Sequence, residues 1–400
     1  MSSVRYPSHW TNQKLKYVAS LKSGEGITSD DISDSDEYPV YGGNGVRGYT
    51  SSYTHDGTYP LIGRQGALCG NINYASGKFW ASEHAVVVNV HHGHVVGWLG
   101  EVLRSMNLNQ YSQSAAQPGI SVEVIENLPI PVPPESEQEA IANYLDRETT
   151  RIDALIAEKE RMLALLDEKR AALISRVVTR GLDPNVPLKP SGQNWLGEIP
   201  AHWPTTKFSW DVFISEGQVD PEDDNFSEMI LIAPNHIESR TGQVIYKETS
   251  ADQGAVSGKY LCKEGDVLYS KIRPALRKVA LADEDCLCSA DMYALRPSER
   301  LLPQYLQYFL LSEDFSTWAE LESARVAMPK INRETLSAIR MPVPPLQEQE
   351  RIIFEIRKGT ERIDLQRKAI RVSVELLKER RAALITAAVT GQIPLEEMTG

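Results

Sequence analysis

Cysteine is scarce in this chain. Only four occur in 400 residues (Cys69, Cys262, Cys286 and Cys288). They form no paired framework, so a disulfide-stapled secreted fold is excluded and a reduced, cytoplasmic compartment is expected. No apolar run approaches the ~20 residues needed to span a bilayer. The opening MSSVRYPSHWTNQK has no apolar core of a signal peptide. An ATP-motor phosphate loop is missing as well, because ASGKF (75–79) and SGKY (257–260) lack the required glycine-to-lysine spacing. The short Asn/Asp-Pro-Pro-aromatic motif of amino-methylating enzymes does not occur, and no cluster of carboxylates plus lysine lies on strand-like segments. Cations are not in excess either, since the net charge is -12. A chain of this charge does not coat nucleic acid indiscriminately. Any phosphate contact must come from local basic stretches such as Lys271 to Lys278. Acids are segregated from Asp30 to Glu37 and from Asp220 to Glu228.

What is present is a globular composition, 42% hydrophobic and 24% charged, in a length that calls for more than one core. It is organised as a duplication. PVPP at 131–134 returns at 342–345, a shift of 211 residues. At the same shift Glu137-Gln138-Glu139 meets Glu348-Gln349-Glu350, Arg151-Ile152-Asp153 meets Arg362-Ile363-Asp364, and RAALI at 170–174 meets RAALI at 381–385. Roughly 22 of about 49 gapless positions are identical, far above chance. The halves also open alike, with Pro7-Ser8-His9-Trp10 answering Pro200-Ala201-His202-Trp203. Between opening and PVPP they diverge. The plan is therefore a variable segment followed by a constant one, twice.

Each constant segment follows a proline stop and then runs without proline over 135–183 and 346–393. Ile356, Ile363, Ile370, Leu377 and Leu384 recur every seven residues, and Leu145, Ile152, Leu166 and Leu173 take the same positions in the first copy, with Lys159 intruding on the seam. Leu155/Ile156 and Met162/Leu163 offer a second seam position. Seven-residue spacing keeps one stripe of a long helix against a partner helix. Two partners fit this pattern: the other copy, giving an antiparallel intramolecular coiled coil, or a helix of another chain. Matching lengths within one chain favour the first. The expected fold is mixed α+β, two globular domains joined by that coiled coil with pseudo-twofold symmetry. The expected parts are 1–134 and 199–345 as recognition domains, 135–183 and 346–393 as long helices, 184–198 as a linker and 394–400 as a tail.

PVPP followed by an EQE-bearing helix that ends in RAALI, twice, resembles the conserved regions of type I restriction-modification specificity subunits. WLGEIPAHW (195–203) resembles their lead-in to a second target-recognition domain. GDVLYSKIRPALRKVALA (265–282), CSADMYALRP (288–297), YGGNGVRGYT (41–50) and LIGRQGALCGNI (61–72) resemble the cores of such domains. The resemblance implies a non-catalytic subunit that reads a split site in double-stranded DNA, docks two methyltransferase subunits and can be joined by restriction/translocase subunits. S-adenosylmethionine, ATP and magnesium then belong to the partners. The same layout suits a methylation-only or type IIB/IIG-like system. Outside this family, a protein–protein scaffold with two divergent heads, or an enzyme of unrecognised type, fits the bare pattern.

Base readout needs side chains that offer paired donors or acceptors, carried at strand ends and loops. In the first half these are Asn44 and Arg47 in a glycine-rich loop, and Arg64 and Gln65 after an apolar strand-like run. In the second half they are Ser270, Lys271 and Arg273 at the end of VLYS, with Arg277 and Lys278 next, the last two expected on phosphates. At a shift of 207, Leu61 meets Leu268, Arg64 meets Lys271 and Ser82 meets Ser289, which ranks Arg64 and Lys271 first. Glycine-rich punctuation is often turn chemistry alone. His91-His92-Gly93-His94 lacks an acid or cysteine at ligand spacing and Cys286-Leu287-Cys288 reads as strand packing, so no metal is expected. Trp10, Trp195 and Trp203 read as seals over small cores, and Tyr305, Tyr308 and Phe309 as one buried helix face.

Overall fold

The computed structural model describes residues 6–66, 68–112, 119–324 and 329–399. The chain divides into two compact units, residues 1–160 with 371–400, and residues 161–370.

Both units are built on one plan. In the first, a four-stranded antiparallel sheet has the order Ala19–Ser23, Ala85–Val90, Tyr59–Gly63, Ile72–Ala75. In the second, the order is Val212–Ile214, Met292–Pro297, Val267–Ser270, Val279–Leu281. The central strands carry unbroken buried runs. AVVVNV keeps four consecutive residues buried and VLYS keeps all four, as strands covered on both faces must. A second four-stranded sheet in each unit contains one parallel pair, Tyr38–Gly42 with Lys78–Ala81 and Leu231–Ile232 with Cys286–Cys288. One short helix covers each main sheet. Val96–Ser105 buries Trp98, Leu99, Val102 and Leu103, and Pro303–Leu311 buries Tyr305, Leu306, Phe309 and Leu310, spacings that put one stripe on the core. Tyr308 is half-buried on the same core.

The long helices run Glu135–Arg180 and Leu346–Val389. They stop a few residues short of the proline-free stretches because Gly181 and Gly391 follow in the left-handed region, at φ +72° and +71°. Each glycine also lies against the opening motif of its own unit. A Cβ on Gly391 would collide with the Pro7 ring and crowd Trp10, and one on Gly181 would press on Trp203 and Pro200. Inside each unit the two helices pair antiparallel. In the first unit Ile141 and Leu145 share a core with Ile385 and Val389, and Arg381 bonds Asp153 at 2.8 Å. In the second, Arg367 pairs with Asp167 at 2.9 Å and Arg170 with Asp364 at 2.6 Å. The pairs Arg170–Asp364 and Arg381–Asp153 are images of each other at the repeat shift. The intramolecular partner is thus the one chosen. Leu145, Ile152, Ile356 and Ile363 are buried, and Leu166, Leu173, Ile370, Leu377 and Leu384 are half-buried. Lys159 is half-buried too, which fits a packed stem with its amine in water. Of the paired alternatives, Ile156 and Leu163 turn inward, while Leu155 and Met162 are exposed.

The constant motifs outside the seam hold each variable domain to a helix start. The Glu137 carboxylate accepts from Trp10 Nε1 at 2.9 Å and meets His9 Nε2 at 2.9 Å. Glu348 does the same with Trp203 Nε1 and His202 Nε2, both at 2.8 Å. The adjoining glutamines are buried. Gln138 donates to the Pro133 carbonyl and accepts from the Val95 N–H, and Gln349 donates to the Pro344 carbonyl and accepts from the Leu302 N–H. Val95 and Leu302 are the N-caps of the two short covering helices, so each glutamine satisfies a donor that the helix leaves open.

Two expected segments differ from the reading of the sequence. Residues 184–198 are more than a linker, because Leu188–Pro190 pairs with Glu198–Pro200 and Leu196 is buried in the second unit's core with Trp195 packed beside it. The expected tail 394–400 is not free over its described residues, because Leu395–Thr399 is helical and buries Met398 in the first unit's core. Both segments look polar in sequence, yet single apolar residues anchor them.

Candidate nucleic-acid interface

The ends of Tyr59–Gly63 and Val267–Ser270 are the same structure built twice. Gly63 N–H donates to the Asn71 carbonyl, and Ser270 N–H to that of Lys278. Arg64 N–H donates to the His84 carbonyl at 2.9 Å, and Lys271 N–H to that of Asp291 at 3.0 Å. The carbonyl of Arg64 accepts from Ile120 N–H, and that of Lys271 from Ile331 N–H. The next residues form the isolated bridges Gln65 with Gly119 and Ile272 with Lys330. With its backbone groups used on both sides, each strand end is a rigid mount for its side chains.

In the first unit Asn44, Arg47 and Gln65 come together. They line one depression of about 490 Å³ with Gly43, Gly66, Leu68 and His84. All three are exposed, and Asn44 Oδ1 accepts from Asn71 Nδ2 at 3.2 Å. Gly42 admits the Arg47 stem, which lies where a Cβ would be. Arg64 is half-buried beside this group.

In the second unit the candidates separate. Arg273 is exposed in the left-handed region at φ +46°, held by its N–H to the Pro329 carbonyl. A non-glycine residue kept in that region is strained, and such strain gathers at functional sites. Lys271 is half-buried, its ammonium 5.1 Å from the centre of the Tyr293 ring and 6.0 Å from that of Tyr260. Burial holds its pKa below the usual lysine value. Asp291 opposes that shift, and Lys330 and Arg333 add to it. Three residues turn inward. Ser270 is 4% exposed and donates to the Ile272 carbonyl. Lys278 Nζ donates to the Pro234 carbonyl at 2.6 Å. The Arg277 side chain is only 10% exposed, 3.9 Å from Glu313, and burial lowers its pKa. The expected phosphate role of Arg277 and Lys278 therefore has no free cation behind it. The run of cations in RPALRK could not reveal this, because a left-handed turn at Arg277 (φ +47°) sets the direction.

Sequence reasoning missed Lys330 and Arg333. Lys330 is exposed, and Arg333 lies 5.8 Å from the Tyr293 ring while bonding the Ile214 and Ser215 carbonyls. They stand some 60 residues from Lys271 in sequence, and the bridge from Ile272 to Lys330 brings them near. It also passed over His84 and Asp291, the residues whose carbonyls anchor the strand ends. The repeat shift that matched Ser82 with Ser289 could have found them. His91 and His94 are engaged with the Tyr17 carbonyl and with Gln138. Among the described residues no group of three or more His, Cys, Asp or Glu is arranged to hold a metal ion. No helix among them is long and apolar enough to cross a membrane.

The two units carry one duplicated mount for polar side chains, and comparison with known proteins gives the class of the protein. The family model of the type I restriction modification DNA specificity domain matches residues 7–163 and 225–375, and the chain belongs to that family. Specificity subunits of type I systems are the non-catalytic, DNA-recognising members of larger complexes, and this chain is one of them. The Escherichia coli type I restriction enzyme EcoDI specificity subunit is 26% identical over 412 residues, covering 98% of this chain and 90% of its own length. The EcoprrI specificity subunit, also from Escherichia coli, is 42% identical over 145 residues, 35% of this chain and 36% of its own. A chain from a structural study of assembly and conformational transition of the type I R-M system shares the fold at a TM-score of 0.66 and 18% identity, covering 97% of this chain and 100% of that one. The HsdS subunit from Thermoanaerobacter tengcongensis follows at 0.50 and 16%, covering 98% and 99%.

Proposed function

We propose that this chain reads an asymmetric, two-part sequence in double-stranded DNA, one part by the domain within 1–134 and the other by the domain within 199–345. The observation that supports this reading is the duplicated strand end. One hydrogen-bonding frame is built twice and carries unlike side chains, Arg64, Gln65 and His84 in one copy and Lys271, Ile272 and Asp291 in the other. Unlike readers on one frame recognise unlike half-sites, because protein symmetry is mirrored in site symmetry. Two methyltransferase subunits dock on the constant helices, one per copy, and restriction/translocase subunits can join them. Those partners hold S-adenosylmethionine, ATP and magnesium, and the complex works in the cytoplasm. Asn44, Arg47, Arg64, Gln65, Lys271 and Arg273 face the duplex, while Ser270, Arg277 and Lys278 support that surface from beneath.

Replacing residues 20–130 with the corresponding segment of another specificity subunit tests the division of labour. Methylome sequencing of a host expressing the hybrid with its methyltransferase shows one half of the methylated motif changed and the other kept. A change in both halves overturns the reading.

A further inference from the structure

At each strand end the residue whose carbonyl holds the leading cation belongs to a tight turn, Ser82 to Ala85 and Ser289 to Met292. In both turns the last N–H donates to the serine carbonyl. In both, the N–H of the third residue is met by the serine hydroxyl, at 3.4 Å for His84 and 3.2 Å for Asp291. The backbone at positions 84 and 291 is thus bonded identically through both its N–H and its carbonyl. The side chains differ in chemistry, an imidazole with one donor and one acceptor nitrogen and a carboxylate that only accepts. A side chain that changes character while its backbone frame is conserved between the two copies has no part in building that frame.

Asp291 is exposed, and among the described residues its carboxylate makes no hydrogen bond or ion pair, although it is close enough to Lys271 to act on its charge. Lys330 and Arg333 act on the same ammonium. A bare carboxylate among cations is poor at meeting phosphate, yet it is an acceptor held where cations would hold a duplex. His84 faces the depression that Asn44, Arg47 and Gln65 line, with its Nε2 3.1 Å from Glu83.

We infer that positions 84 and 291 are base-reading positions, Asp291 accepting from the exocyclic amino group of cytosine or adenine and His84 presenting the ring nitrogen that Glu83 does not engage to a base edge in the other half-site. This rests on the two-part reading proposed above. Major-groove edges carry these groups in a pattern that distinguishes all four base pairs. The side chain at this one position then makes the two half-sites differ.

The test uses the full chain with its methyltransferase subunits in a methylation-competent host, with methylome sequencing as the readout. Asp291→Ala is expected to relax one base-pair position in one half of the motif by about 5- to 100-fold, leaving the other half intact. Asp291→Asn, similar in shape but able to donate, shifts the preference at that same position. His84→Ala relaxes one position in the opposite half. Thermal melts of the purified variants, expected to match wild type, show that the substitutions leave folding alone. A wild-type motif from both Asp291 variants overturns the inference and leaves the two-part reading standing, as does a uniform loss of methylation at all sequences. A wild-type chain that methylates without a two-part motif overturns both.

Discussion

Removing one carboxylate from each of the two equivalent clamps should cost the two units different amounts. Glu348 accepts from Trp203 Nε1 at 2.8 Å, and Trp203 is 0% exposed, so Glu348→Ala leaves an indole N–H buried with no water to replace its partner. A buried donor stripped of its acceptor costs about 1–3 kcal/mol. The exposed His202 adds little, because its side chain is 46% exposed and screened. The expected loss is about 2 kcal/mol, or a fall of roughly 4–8 °C in the melting of a unit of about 200 residues. In the first unit Trp10 is only half-buried and His9 is 57% exposed, so water takes over the bonds lost in Glu137→Ala and the cost is about 0.5–1 kcal/mol. Glu348→Gln keeps an oxygen for the indole and recovers about half of the loss. The assay is native-state hydrogen exchange, with the slowest amides of Val267–Ser270 reporting the second unit and those of Ala85–Val90 the first. Equal losses in the two units, or none in Glu348→Ala, would refute the burial argument.

Arg273→Ala should weaken DNA binding and reduce the salt slope of log affinity by about 1, whereas Arg277→Met, which trims a buried side chain, should leave that slope unchanged. Equal slopes for both variants would return Arg277 to the DNA-facing set. Burial lowers the Lys271 pKa, so the folded state holds that proton less tightly than the unfolded chain does. The cost of keeping the ammonium is complete below the lowered value and disappears as pH rises through it towards the unfolded value. Wild type should therefore gain stability relative to Lys271→Met as pH rises towards the ordinary lysine value of 10.5, read by thermal melts in a pH series; a constant difference would remove burial as the cause. Inserting one heptad into each long helix should change the number of unread base pairs between half-sites in the methylated motif, and an unchanged spacer would separate helix length from site spacing.

How much was legible from residues alone depended on the range of the interaction. The seven-residue spacing of Ile356, Ile363, Ile370, Leu377 and Leu384 is a local property of one helix, and it suffices to place the seam. The polar members of that seam were harder to read. Arg170, Thr360 and Arg367 are buried there, because carboxylates on the facing helix reach the two arginines and the Arg357 carbonyl takes the Thr360 hydroxyl. Hydropathy scores such residues as surface.

The sequence by itself determined that the chain is a duplication, where its two long helices lie, and which strand ends match, since repetition and periodicity survive in one dimension. Tertiary structure alone decided which cations are free. Arg277 and Lys278 follow Arg273 within five residues, yet a left-handed turn and a carbonyl 44 residues away turn them inward, while a bridge from Ile272 brings Lys330 from the far side of a helix pair. The direction of a side chain depends on dihedral angles and distant neighbours, and neither is encoded in the order of residue types within a short window.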